Sequence, residues 1–114
     1  ANLLDGGVPF YDVYETSDGR HMSVGSLEPQ FFAELVRLLG LEGTCPGQAE
    51  MGRYDEMRAL FTETFASRTQ AEWIEVFEGT DACVAGIVPI ILLNFNILRS
   101  RPGHDAKITE QAVL

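Results

Sequence analysis

The sequence predicts an α+β domain: a small antiparallel sheet containing a β-hairpin, covered on one side by about three helices. Three observations carry that expectation. Two short alternating runs meet across an Asp-Gly turn, three stretches keep helical spacing with recognisable ends, and one short apolar run is bounded by Thr80 and Pro89.

Tyr11 to Glu15 and His21 to Gly25 are rich in aromatic and β-branched residues, and Asp18-Gly19 between them supplies the positive φ that a tight turn demands. This is a hairpin. Tyr11 and Val13 alternate with Asp12 and Tyr14, and Met22 and Val24 with His21 and Ser23, so one face can be buried and the other wet. A helix opens at Glu28-Pro29-Gln30, where the missing N–H of proline costs nothing, and Gly40 stops it. Phe31, Leu35, Leu38 and Leu39 fall on its apolar stripe, with Phe32 at the margin. After a Gly- and Pro-bearing loop from Glu42 to Gly52, a second helix over 53–66 puts Tyr54, Met57, Leu60, Phe61, Thr64 and Phe65 on one face. Thr69-Gln70-Ala71-Glu72 is a capping box, and the helix it starts turns Trp73, Val76 and Phe77 inward before Gly79. Asp81 to Val88 then reads as a buried strand. Residues 1–98 make one domain, and 99–114, polar at first and aperiodic, are expected to be a flexible tail.

Charge narrows the functional classes. With 8 Lys+Arg against 17 Asp+Glu, the net charge is -9, and the acid excess lies before residue 82. The basic residues are scattered singly, which argues against a nucleic-acid binder and against an anionic membrane surface. The most apolar stretch, Ala82 to Leu93, is broken by Gly86 and Pro89 and falls short of the roughly 18 to 20 residues that cross a bilayer, so no membrane span is expected. The N-terminal residues from Ala1 show no basic region or apolar run, so no signal peptide is expected, and Cys45 and Cys83 form no CxxC pair; the expectation is a pair of free thiols in a reducing compartment.

Motifs for a self-contained active site are missing: no GxGxxG, Walker, GxSxG, HExxH or CxxC pattern occurs, and no metal site is expected. His21 reads as a surface histidine on the polar face of the hairpin, and His104 lies in the tail. No cation adjoins Cys45 in sequence to lower its pKa. Trp73 reads as core, and Glu34, Glu50, Glu56 and Glu75 as solvated faces. Glu28 stands apart, because it sits where a strand ends and a helix begins. Either it caps that helix through the free N–H groups of the first turn, or it faces a cleft and orients a group supplied by another segment.

A resemblance bears on that choice. Leu3-Leu4-Asp5-Gly6-Gly7-Val8-Pro9-Phe10-Tyr11, then Ser17-Asp18-Gly19-Arg20, then Val24-Gly25-Ser26-Leu27-Glu28-Pro29-Gln30-Phe31-Phe32 together resemble the small domain of α-methylacyl-CoA racemases, within the family III CoA-transferase superfamily. The likeness is strongest over 3–41, continues loosely to Thr80-Asp81-Ala82-Cys83-Val84, and fades beyond Ala85.

That resemblance implies an isomerase that interconverts R and S 2-methylacyl-CoA thioesters by exchanging the α-proton, with acyl-CoA as substrate and no cofactor. Two acid-base groups on opposite faces of the substrate carry such a reaction. In the family these are a His and an Asp of a large domain that also holds the CoA, and neither that domain nor a match to those residues is expected in these 114 residues. The chain alone is therefore expected to be inactive. The family resemblance further implies an interlocked homodimer, Glu28 beside the catalytic His, and Leu4, Tyr11 and Leu27 in the acyl pocket. It also implies the bacterial cytosol, or a mitochondrion or peroxisome in a eukaryote. The charge of -9 agrees with leaving the CoA phosphates to another domain. The alternatives are a family III CoA-transferase fragment and a non-catalytic interaction module.

Overall fold

The computed structural model describes residues 7–88. Three strands, β1 (Tyr11–Glu15), β2 (His21–Gly25) and β3 (Val84–Ile87), form one antiparallel sheet in the order β1-β2-β3. Three helices, α1 (Pro29–Leu38), α2 (Tyr54–Phe65) and α3 (Gln70–Phe77), lie between β2 and β3 in the chain, with a 3-10 turn at Met51–Arg53 leading into α2. This is the expected α+β architecture. The tail over 99–114, with His104, lies outside the described residues.

Both hairpin strands span the residues that the alternation picked out. Tyr11 pairs with Gly25 and Glu15 with His21, and Gly19 adopts φ +77 in the connecting turn. Asp18 anchors that turn by accepting from the Thr16 hydroxyl at 2.6 Å and from the Gln70 backbone N–H at 3.2 Å. These bonds, the Thr16 hydroxyl first, hold the Asp18 carboxyl below the usual carboxylate range.

The alternation left the buried face open, and the structure chooses Asp12 and Tyr14 over Tyr11 and Val13. A charged residue is thereby buried. Asp12 is only 2% exposed, and it is tolerable there because Arg58 of α2 pairs with it while its own carboxylate accepts the Val13 N–H at 2.7 Å. Arg58 also donates to the Gly7 carbonyl, so one guanidinium ties α2 to β1 and to the chain entering it. Tyr14 gains a stacked ring, Phe65 at 5.2 Å between centroids, and donates to the Pro9 carbonyl at 2.6 Å. Burial pushes its phenol well above the ordinary range.

The core continues through Met22, Val24, Leu35, Met57, Phe61, Trp73 and Phe77, with the indole N–H of Trp73 donating to the Phe65 carbonyl at 2.9 Å. On α1 the buried positions are Phe32 and Leu35, with Leu39 buried just past its end, while Phe31 and Leu38 are only half-buried. That corrects the expected stripe. The ring of Phe32 packs edge-on against Phe10 at 5.3 Å, which rotates the inner face toward the residue placed at its margin. Gly40 ends the segment at φ +73: its N–H reaches the Arg37 carbonyl and that of Leu41 the Val36 carbonyl, both at 3.0 Å, a Schellman closure. The capping box of α3 is present in both directions, Glu72 N–H to the Thr69 hydroxyl and Thr69 N–H to the Glu72 carboxylate.

The third strand is shorter than expected and only half-buried along its length. Cys83 breaks the run over 81–88 by taking φ +59, and Asp81 and Cys83 are exposed while Ala82 between them is buried. Val84 through Ile87 then pair with Val24 through His21.

Candidate functional site

Glu28 occupies the N-cap position of α1 in extended conformation, but its side chain makes no capping hydrogen bond. The capping reading is therefore corrected. The carboxylate is exposed and, among the described residues, accepts only from the Gln30 side-chain amide, at 3.3 Å. Since Pro29 and Gln30 open the helix without needing that carboxylate, it is left available at the molecular surface.

The backbone that carries Glu28 is fixed from three directions. Ser26, fully buried, donates its N–H to the Phe10 carbonyl at 2.9 Å and its hydroxyl to the Ala82 carbonyl. The Leu27 N–H donates to the Gly25 carbonyl at 3.0 Å, and the Leu27 carbonyl accepts the side-chain amide of Gln48 at 2.8 Å. Beyond them, the Glu28 carbonyl accepts the Phe32 N–H at 2.9 Å as α1 begins. An exposed carboxylate thus stands on a strand-to-helix corner held by these hydrogen bonds.

Leu27 is 52% exposed and Tyr11 is 48% exposed, although both are large apolar side chains. Tyr11 lies across from Gly25, and the Gly25 Cα faces its ring, since a Cβ there would stand 3.9 Å from Tyr11 Cδ1. Leu27 and Glu28 follow Gly25 in the chain at the end of the hairpin where Tyr11 pairs, and all three are exposed. Leu4 lies outside the described residues. Ser26 and Gln48, which fix the corner, carried no signal in the sequence, since only the fold brings their partners to them.

Other chemistry is sparse. Among the described residues no group of three or more His, Cys, Asp or Glu could hold a metal ion, and no helix is long and apolar enough to cross a membrane. Burial pushes the Cys45 thiol up to about 11, outweighing the nearby Arg53, so it is no nucleophile near neutral pH. Glu34, Glu50 and Glu56 form exposed ion pairs with Arg37 and Arg53.

The comparisons say to what kind of protein this exposed corner belongs. The chain belongs to CoA-transferase family III, whose match runs over residues 2–91 and so past the point where the resemblance fades. It is 49% identical over 88 residues to the α-methylacyl-CoA racemase of Mus musculus and 48% identical over 88 residues to that of Homo sapiens. Each alignment covers 76% of this chain and 23% of the relative. A CaiB/baiF CoA-transferase family protein of Caenorhabditis elegans is 28% identical over 92 residues, covering 77% of this chain and 25% of that protein. The chain thus spans about a quarter of the length of the curated relatives it matches.

Proposed function

We propose that the chain is the small-domain part of an α-methylacyl-CoA racemase, which interconverts R and S 2-methylacyl-CoA thioesters by α-proton exchange. The observation that carries this reading is the near-half identity to two mammalian racemases over 76% of the chain. The family III transferase alternative has weaker support, at 28% identity.

In this reaction a base removes the proton next to the thioester carbonyl, the carbonyl oxygen takes up the charge as an enolate, and an acid on the opposite face returns a proton. The thioester itself stays intact. Glu28, exposed and free of capping duty, orients the protonated ring of a histidine from the large domain, and a nearby carboxylate favours that charged form. Leu4, Tyr11 and Leu27 line the acyl pocket, where apolar side chains tolerate varied tails; the outward exposure of Tyr11 and Leu27 supports this. The large domain holds the CoA, and the complete enzyme is an interlocked homodimer. Two free cysteines support a reducing compartment: bacterial cytosol, or mitochondrion or peroxisome in a eukaryote.

The test is to incubate the complete enzyme with one epimer of a 2-methylacyl-CoA in D2O. Deuterium uptake at the α-carbon with loss of stereochemical purity is expected; CoA transfer to a free carboxylic acid without α-exchange overturns the reading. Glu28→Gln is expected to lower turnover by about 10²-fold with a change of only a few degrees in melting temperature. Parallel losses of rate and stability would return Glu28 to a structural role.

A further inference from the structure

The corner bearing Glu28 is buttressed from a loop that takes no part in the sheet. Gln48 is half-buried in the segment between α1 and α2, and its side-chain amide donates to the Leu27 carbonyl at 2.8 Å, across 21 residues of sequence. That carbonyl belongs to the peptide joining Leu27 to Glu28. The bond therefore fixes the peptide plane from which the Glu28 side chain springs.

Gln48 is itself held. Its own carbonyl accepts the Tyr54 hydroxyl at 2.6 Å, and the Tyr54 ring packs edge-on against Phe10 at 5.6 Å. Phe10 in turn gives its carbonyl to Ser26, so the path from Gln48 returns to the same corner through the core. The loop around Gln48 is closed on itself: Pro46 is buried, the Glu50 N–H donates to the Gly47 carbonyl at 3.0 Å, and Arg53 pairs with both Glu50 and Glu56. An amide presented from such a frame acts as a strut.

Resting on the racemase reading of Glu28, we propose that Gln48 is a positioning residue for the reaction, holding the Leu27–Glu28 peptide so that the Glu28 carboxylate meets the proton-handling group of the large domain in one orientation. Of the three supports of this corner, Ser26 is fully buried and its bonds cross the core, so its loss disturbs the fold. Gln48 is the support whose loss leaves the apolar core intact. Its contribution is to geometry, and a small displacement of an orienting carboxylate is costly to turnover while leaving substrate binding alone.

The experiment compares Gln48→Ala and Gln48→Glu with Glu28→Gln in the complete enzyme. Glutamate keeps the shape of the side chain but lacks the donor for the Leu27 carbonyl. Both Gln48 variants are expected to lower kcat roughly 5- to 10-fold with unchanged KM for the acyl-CoA and to displace the pH profile of kcat, while the circular dichroism melt moves little. The Glu28→Gln/Gln48→Ala double variant is expected to be no slower than Glu28→Gln alone, because Gln48 acts through Glu28. Unimpaired Gln48 variants beside an impaired Glu28→Gln, losses that multiply in the double variant, or losses tracking the melt each overturn the positioning role and leave the reading of Glu28 standing. A fully active Glu28→Gln overturns both.

Discussion

Glu28 and Asp12 show how differently two carboxylates can be used within one short segment. Asp12 is drawn into the core because Arg58 waits there on α2, and breaking such a pair by removing one partner costs about 3–5 kcal/mol. Glu28 is left in solvent although it stands at a helix N-terminus, where a carboxylate complements the positive end of the dipole. The burial of Asp12 was not legible in the sequence, where it is one polar member of an alternating strand and its cation lies 46 residues away, whereas for Glu28 the sequence left capping and an outward-facing role as alternatives. The cysteines separate in a similar way. Cys45 is half-buried with its thiol pushed up to about 11, while Cys83 is exposed just before β3. Alkylation at pH 7 to 8 is expected to modify Cys83 and spare Cys45, which becomes reactive as the pH approaches 11 or when the chain unfolds. Mass mapping of iodoacetamide adducts checks this, and equal labelling at pH 7 would contradict the burial of Cys45.

At the scale of elements, α3 is pinned to the sheet by a single side chain. Gln70, the first residue of α3 and 8% exposed, donates its side-chain amide to the carbonyls of His21 and Ile87, at 2.9 and 3.0 Å, and so pins the far ends of β2 and β3 together. Gly86 makes room for this. A Cβ at that position would stand 2.9 Å from Ile74 Cδ1 and 3.2 Å from Gln70 Nε2. The isoleucine, 39% exposed, can swing aside, whereas Gln70 is held at both carbonyls. Gly86→Ala is therefore expected to destabilise the domain by about 1–3 kcal/mol, and Ile74→Val, which removes Cδ1, to recover only part of that loss. Urea unfolding of the two variants reads it directly; full recovery would mean that Gln70 yields as easily as Ile74. The sequence placed a glycine in an apolar strand and the capping box beside Gln70, but not their contact, because strand and helix are brought together only by the fold.

For the whole molecule, the acid excess bears on the proposed division of labour with a large domain. Coenzyme A is polyanionic, so a chain of net charge -9 is a poor place to hold its phosphates. Calorimetric titration of the 114-residue chain with an acyl-CoA is expected to give no measurable binding; micromolar affinity would move the CoA site onto this domain. The hairpin, the three helices and their stops were legible from the sequence, because period, glycine stops and capping boxes are local and are satisfied by neighbours a few residues apart. The family was legible too, since the LDGGxPFY and EPQF segments and their spacing survive in the chain as written. Tertiary structure alone decided that Asp12 and Tyr14 face inward, that Phe32 displaces Phe31 from the core, and that Glu28 remains uncapped on a corner strutted by Gln48. Each of those outcomes depends on a partner distant in sequence, Arg58, Phe10 or the loop after α1, and the free energy that selects the face comes from that partner.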